Sequence, residues 1–150
     1  MSFTLSDINW AAEECERQRS GELSVAWMCQ GLEWTRIHRE SEIHPSVIAT
    51  IGAKIEPEVN RRGFRHVGVR VGHHVMPHSL AVPRLVAALC EDGTPYLTPA
   101  EWFREFEEIH PFRDGNGRTG AILFNWLNDT LDAPVTAPDF WNPSHLNYQT

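Results

Sequence analysis

The chain has 150 residues, 41% of them hydrophobic, and a formal charge of −7, with a pI near 5.6. That is enough for one domain with its own core and leaves little room for a second, while the acidic balance gives no overall pull toward nucleic acid or an anionic membrane surface. No run approaches ~20 apolar residues, the N-terminus lacks a basic segment followed by an apolar one, and the three cysteines include no CxxC pair, so the expectation is a cytoplasmic protein with free thiols and no membrane span.

Leu5 to Arg19 reads as a helix with Ser6 and Asp7 as cap candidates, stopping near Ser20-Gly21. A second helix is expected from Glu22 to Arg39, where Leu23, Ala26, Trp27, Gln30, Trp34 and Ile37 or His38 fall three or four apart; that spacing puts Trp27 and Trp34 in the core. His44-Pro45 opens a third helix with proline in its first turn and a buried stripe of Val47, Ile48, Ile51 and Ile55, ended by Pro57.

The pattern changes between Asn60 and Pro77. Arg61, Arg62 and Arg65 cluster, then Val67, Val69 and Val71 alternate with Gly68, Arg70 and Gly72. A period of two is a strand signal, and Gly72-His73 can turn the chain back through Val75-Met76 to close a hairpin. Such a hairpin, spanning about 64–77, leaves an edge on which an extended segment of another protein can add as a strand. The histidines around it, His66, His73, His74 and His78, do not read as a zinc site, because neighbours on a strand face opposite ways. Met76 or His74 lining a nucleotide pocket is the better use of this stretch.

Ser79 then caps a helix through Leu80, Val82, Leu85, Val86, Leu89 and Cys90, ending at Asp92-Gly93. Thr98-Pro99-Ala100-Glu101 has the spacing of a reciprocal capping box with proline at the first helical position. The helix it starts turns Trp102, Phe103, Phe106 and Ile109 inward, leaves Glu107 and Glu108 on a solvated face, and must end at His110 because Pro111 cannot continue it. A last helix from about Gly117 to Asn128 buries Ile122, Leu123, Trp126 and Leu127. Beyond Leu131 the prolines at 134, 138 and 143 indicate a tail that wraps the body or frays. The expectation is a mainly α single domain over 1–150, with its core at about 5–131, one β-hairpin, and a C-terminal tail at about 132–150.

The chemistry concentrates in His110-Pro111-Phe112-Arg113-Asp114-Gly115-Asn116-Gly117-Arg118. Gly115 and Gly117 can take positive φ, so successive backbone N–H groups around Asn116 can turn inward as a nest for anionic oxygens. The helix that follows adds the unpaired N–H groups of its first turn. Arg118 offers a planar fork of donors that matches phosphate, Asp114 is a hard oxygen ligand suited to Mg²⁺ beside phosphate, and His110 is the residue best fitted to take a proton from a hydroxyl near neutral pH. Phe112 reads as the anchor of the loop in the core. His110 sits at a helix C-terminus, whose free carbonyls favour the imidazolium, so a nearby cation or the metal has to compensate if the ring is to act as a base. A GNG turn alone, or a His-Pro alone, would mean only a bend.

Taken together, HPFRDGNGR resembles the signature of the Fic (Fic/Doc) family. The resemblance implies a Fic-like helical bundle that moves the AMP moiety of ATP to a Ser, Thr or Tyr hydroxyl of a target protein. In that reading His110 is the base, Asp114 the Mg²⁺ ligand, Gly115, Asn116 and Gly117 the anion cradle, Arg118 the phosphate clamp, and the hairpin (Val67, Gly68, Val69, Arg70, Val71, Gly72, Met76) the flap that docks the target. ATP and Mg²⁺ are the implied substrate and cofactor. The fuller family pattern carries a second arginine where this chain has Ala121, which leaves open a Doc-like phosphotransferase or a catalytically impaired nucleotide- or protein-binding module. No glutamate is followed by glycine or asparagine, so the family's inhibitory helix motif is not visible, and a separate antitoxin-like inhibitor stays open.

Overall fold

The computed structural model describes residues 3–140. Six α-helices and one small antiparallel hairpin make up the regular structure among them: α1 Leu5–Arg17, α2 Glu22–Ile37, α3 Pro45–Ile55, β1 Arg70–Val71, β2 His74–Val75, α4 Val82–Ala88, α5 Pro99–Ile109 and α6 Asn116–Leu127. The mainly α architecture with a single hairpin matches the reading of the sequence.

α6 is the centre of the bundle. It is buried from Arg118 through Asn125, so it is covered on all sides, and α1, α2, α3 and α5 pack on it. A helix so enclosed needs small residues where neighbours come close: a Cβ at Gly120 would lie 2.8 Å from the Phe103 ring of α5. Ile122 and Leu123 are fully buried, each such side chain contributing about 1.5–3 kcal/mol. Trp126 and Leu127, expected inside, are only half-buried, and the Trp126 indole donates to the Arg39 carbonyl at 3.2 Å.

α2 turns a different face inward from the one its large residues outline. Ser24, Met28, Cys29, Gly31, Leu32 and Thr35 are buried, whereas Leu23 is exposed and Trp27 and Trp34 are half-buried, with Trp34 stacked on His38 at 3.9 Å. The cause is close packing. A Cβ at Gly31 would already stand 3.2 Å from Ile122 and 3.4 Å from Ile55, so the helix approaches its neighbours through its small residues. The Thr35 hydroxyl is satisfied within the helix, donating to the Gly31 carbonyl at 2.8 Å.

α1 is capped by Thr4 rather than Ser6 or Asp7. Asp7 instead closes the box, accepting from the Thr4 N–H at 2.9 Å while the Thr4 hydroxyl accepts from the Asp7 N–H at 3.0 Å. The same carboxylate takes a bidentate pair from Arg36 of α2 at 2.8 and 2.9 Å, and the Arg36 guanidinium also reaches the Leu131 carbonyl at 2.9 Å. Arg36 therefore holds the Asp7 carboxyl below its ordinary pKa and ties α1, α2 and the chain after α6 together.

The expected helix from Ser79 to Gly93 is broken into a 3-10 turn at Ser79–Ala81, α4, and a π turn at Leu89–Gly93. His78, not Ser79, caps the first turn, its ring accepting from the Leu80 N–H at 3.1 Å. The chain after Leu131 wraps the body as far as it is described: the Val135 carbonyl accepts from the Trp10 indole and the Asn125 amide, each at 3.0 Å, and Ala137 is buried. Trp141 onward lies outside the described residues. Cys15 and Cys29 are buried free thiols and Cys90 is half-buried and free. Among the described residues no helix is long and apolar enough to cross a membrane.

Candidate active site

The loop between α5 and α6 is built to be stiff. Thr98 and Glu101 form the expected capping box at the start of α5, and at its other end His110 adopts φ 51°, a left-handed conformation rare outside glycine. Pro111 forces the chain out of the helix there. Asn116 then closes the bend on itself: its Oδ1 accepts from the Phe112 N–H and its Nδ2 donates to the Phe112 carbonyl, both at 2.8 Å. Gly115, at φ 77°, makes the second turn, with its N–H donated to Asp114 Oδ1 at 2.7 Å. Asn60 braces the bend from outside, its Nδ2 bonding the Asp114 carbonyl at 2.8 Å and the Gly52 carbonyl at 3.1 Å. The Phe112 ring is fully buried in a notch that only glycine leaves open, because a Cβ at Gly52 would lie 2.2 Å from it.

That frame sets the state of His110. Its Nδ1 lies 3.2 Å from the Glu107 carbonyl, an acceptor, so Nδ1 carries the proton and the Nε2 lone pair is left to act as a base. Burial pushes the imidazole pKa down to about 4, helped by the nearby Arg65 guanidinium, against the opposing pull of the Glu107 carbonyl and the Asp114 carboxylate. The ring is neutral at physiological pH. The compensating cation that the helix terminus demanded is Arg65. Its side chain is buried and donates to four carbonyls: His110 at 2.7 Å, Ile109 at 3.2 Å, Val67 at 2.9 Å and Pro77 at 2.7 Å. One guanidinium thus satisfies the end of α5 and fastens both ends of the flap to it.

His110, Arg113, Asp114, Gly115, Asn116, Gly117 and Arg118 all line one cavity of about 510 Å³, a size ordinary for a small-molecule site. Arg118 is 2% exposed, with Nη2 held by Glu56 Oε2 at 2.7 Å and standing 3.7 Å from Asp114 Oδ1. Its Nε and Nη1 are buried with no hydrogen-bond partner among the described residues. Buried donors without acceptors are costly, and two of them on a guanidinium at a cavity wall suit an anion. Gly117 faces α1: a Cβ there would lie 2.2 Å from Gln18 Oε1, so the Gln18 amide covers one edge of the bend. The Asn116 side chain is spent on the loop itself.

The flap residues are only partly brought to the cavity. Pairing is limited to Arg70 with Val75 and Val71 with His74, extended by a bond from the Met76 N–H to the Val69 carbonyl at 3.1 Å. The strand expected from Val67 is shorter because the Val67 carbonyl serves Arg65 instead. Val71 lines the cavity; Met76 is buried beneath the flap; Val67, Gly68, Arg70 and Gly72 are exposed. Glu107, expected on a solvated face, is 4% exposed and lines the cavity. No group of three or more His, Cys, Asp or Glu side chains able to hold a metal occurs among the described residues, so Asp114 is a single-carboxylate candidate.

Sequence reasoning singled out neither Arg65 nor Asn60, Glu56, Gln18 and the arginines beside it. In the sequence Arg65 is one of a basic cluster with Arg61 and Arg62, and what distinguishes it is its carbonyl partners, of which His110, Ile109 and Pro77 lie far along the chain. The family model for the Fic/DOC family matches residues 37–128, which takes in α3 through α6 and the whole loop. A Fido domain-containing protein of Dictyostelium discoideum is 41% identical to the chain over 46 residues, 31% of this chain and 32% of that protein's length.

Proposed function

The chain belongs to the Fic/DOC family, and on that premise we propose that it is a protein adenylyltransferase, moving AMP from ATP to a Ser, Thr or Tyr hydroxyl of a target protein. The observation that carries the reading is the pairing, in one cavity, of a neutral imidazole with a free Nε2 and a guanidinium with two unpartnered buried donors. A base and an anion clamp held on the two ends of one braced loop are what hydroxyl attack on a phosphate requires.

In the proposed step the target hydroxyl oxygen forms a bond to the α-phosphorus while its proton passes to His110 Nε2. The bond between the α-phosphorus and its bridging oxygen breaks, and pyrophosphate leaves with that electron pair. Arg118 and the backbone N–H groups at the start of α6 hold the phosphate oxygens. Asp114, an exposed hard oxygen donor at the cavity wall, fits the one-carboxylate set that Mg²⁺ takes beside phosphates, and the ion when bound there would neutralise phosphate charge. Val71 of the flap reaches the cavity while the neighbouring edge is open, which supports docking of an extended target segment by strand addition.

The test is incubation of the protein with candidate targets and ATP labelled at the α- or the γ-phosphate, followed by mass spectrometry of the modified target. AMP transfer puts the α-label on the target and none of the γ-label, and His110→Ala abolishes it with folding intact. Transfer of the γ-label would favour the phosphotransferase reading, and full activity in His110→Ala would overturn the mechanism.

A further inference from the structure

The end of α1 walls the same cavity and lies outside the stretch that matches the family, since Arg17, Gln18 and Arg19 precede residue 37. α1 stops there in a Schellman turn. The Ser20 N–H bonds the Cys15 carbonyl at 2.8 Å, the Arg19 N–H bonds the Glu16 carbonyl at 3.0 Å, and Arg19 sits at φ 58°. This is the position that glycine usually fills, because it needs the left-handed region. An arginine held there, lining a cavity, calls for a reason beyond ending a helix.

Charge around the cavity supplies one. Arg17 is spoken for by Glu14 and by Asp139 at 3.4 Å. Arg19 has no ion pair with any described residue and is exposed at the cavity wall. Arg118 lines the same cavity from the first turn of α6, with Nε and Nη1 unpartnered among the described residues. Between them the Gln18 amide lies beside Gly117 of α6, where a Cβ would fall 2.2 Å from its Oε1. In a chain of net charge −7, Arg19, Arg113 and Arg118 all line this one cavity, and a ligand that carries several negative charges along its length suits such a set of guanidinium groups.

We propose that Arg19 is a specificity-determining residue that grips the phosphates Arg118 does not reach, so that the site selects a triphosphate donor over a monophosphate. The inference rests on reading the cavity as a nucleotide site. Calorimetric titration with ATP, AMP and inorganic tripolyphosphate, at one ionic strength, tests it without any need for turnover. The informative variant is Arg19→Gly, which keeps the left-handed turn and removes only the guanidinium, so its thermal unfolding should match or exceed that of the unaltered protein. ATP and tripolyphosphate should bind Arg19→Gly at least tenfold more weakly while AMP binds as before, and Arg19→Lys should recover part of the loss. Equal ATP binding in Arg19→Gly and the unaltered protein would overturn the clamp and leave the nucleotide site standing. An equal loss for ATP and AMP would overturn the selectivity. Unaltered protein that binds none of the three probes would overturn both readings.

Discussion

The neutrality of His110 can be tested by titration. Burial and Arg65 place its pKa at about 4, against about 6.5 for an ordinary histidine. A group whose folded pKa is depressed in this way contributes stability that is complete above the unfolded value and is lost as pH falls from about 6.5 toward 4. At about 1.4 kcal/mol per unit, reduced for solvent at the cavity-facing edge of the ring, the loss is on the order of 2–3 kcal/mol. The perturbation is therefore pH itself, with His110→Asn as the control, since asparagine tolerates the left-handed backbone and cannot titrate. Urea unfolding should show the unaltered protein losing this increment between pH 7 and pH 4 in excess of the variant. The ring C–H resonances of His110 should shift with a midpoint near pH 4, and transfer activity should stay flat on the acid side until well below 6. A midpoint at 6 or above, or a pH-stability curve that His110→Asn leaves unchanged, would refute the assignment of the ring as a buried neutral base.

Gly52→Ala should destabilise the protein by about 1–3 kcal/mol, because the new methyl would meet the Phe112 ring at 2.2 Å; Gly52→Ala with Phe112→Leu should recover part of this, and urea midpoints decide it. Arg65→Met leaves four buried or partly buried carbonyls without their donor, for a loss of about 3 kcal/mol or more. It should also speed amide exchange across Val69 to Met76, and unchanged exchange there would refute the idea that Arg65 holds the flap.

What was legible in the sequence was local. The Thr98 to Glu101 box, the stop at Pro111, the positive φ at Gly115 and the turn at Gly72 depend on a few neighbouring residues, and each falls where spacing and residue type put it. The face of α2 was not legible, because periodicity follows the largest apolar residues while the close approach is made by Ser24, Gly31 and Thr35. Glu107 and Arg65 misled for a related reason. A charged side chain reads as solvated until its surroundings are known, and the carbonyls that make a buried Arg65 tolerable come from as far as 45 residues along the chain. The shape of the loop could be read, while the residues that brace it from α3 and the following turn, Gly52, Glu56 and Asn60, could not.

The same close packing bears on Ala121, where the family pattern carries its second arginine. Position 121 is fully buried in the apolar core, and one turn earlier on α6 the Gln18 amide of the α1 end lies beside Gly117, where a Cβ would fall 2.2 Å from its Oε1. A glycine at 117 leaves room for that amide, and the end of α1, with Arg17 and Arg19, lines the cavity. An arginine at 121 would start from that buried apolar environment, where a charge without a partner is costly. On the proposed role of Arg19, the far phosphates of the donor would be met from an element outside the stretch the family model matches.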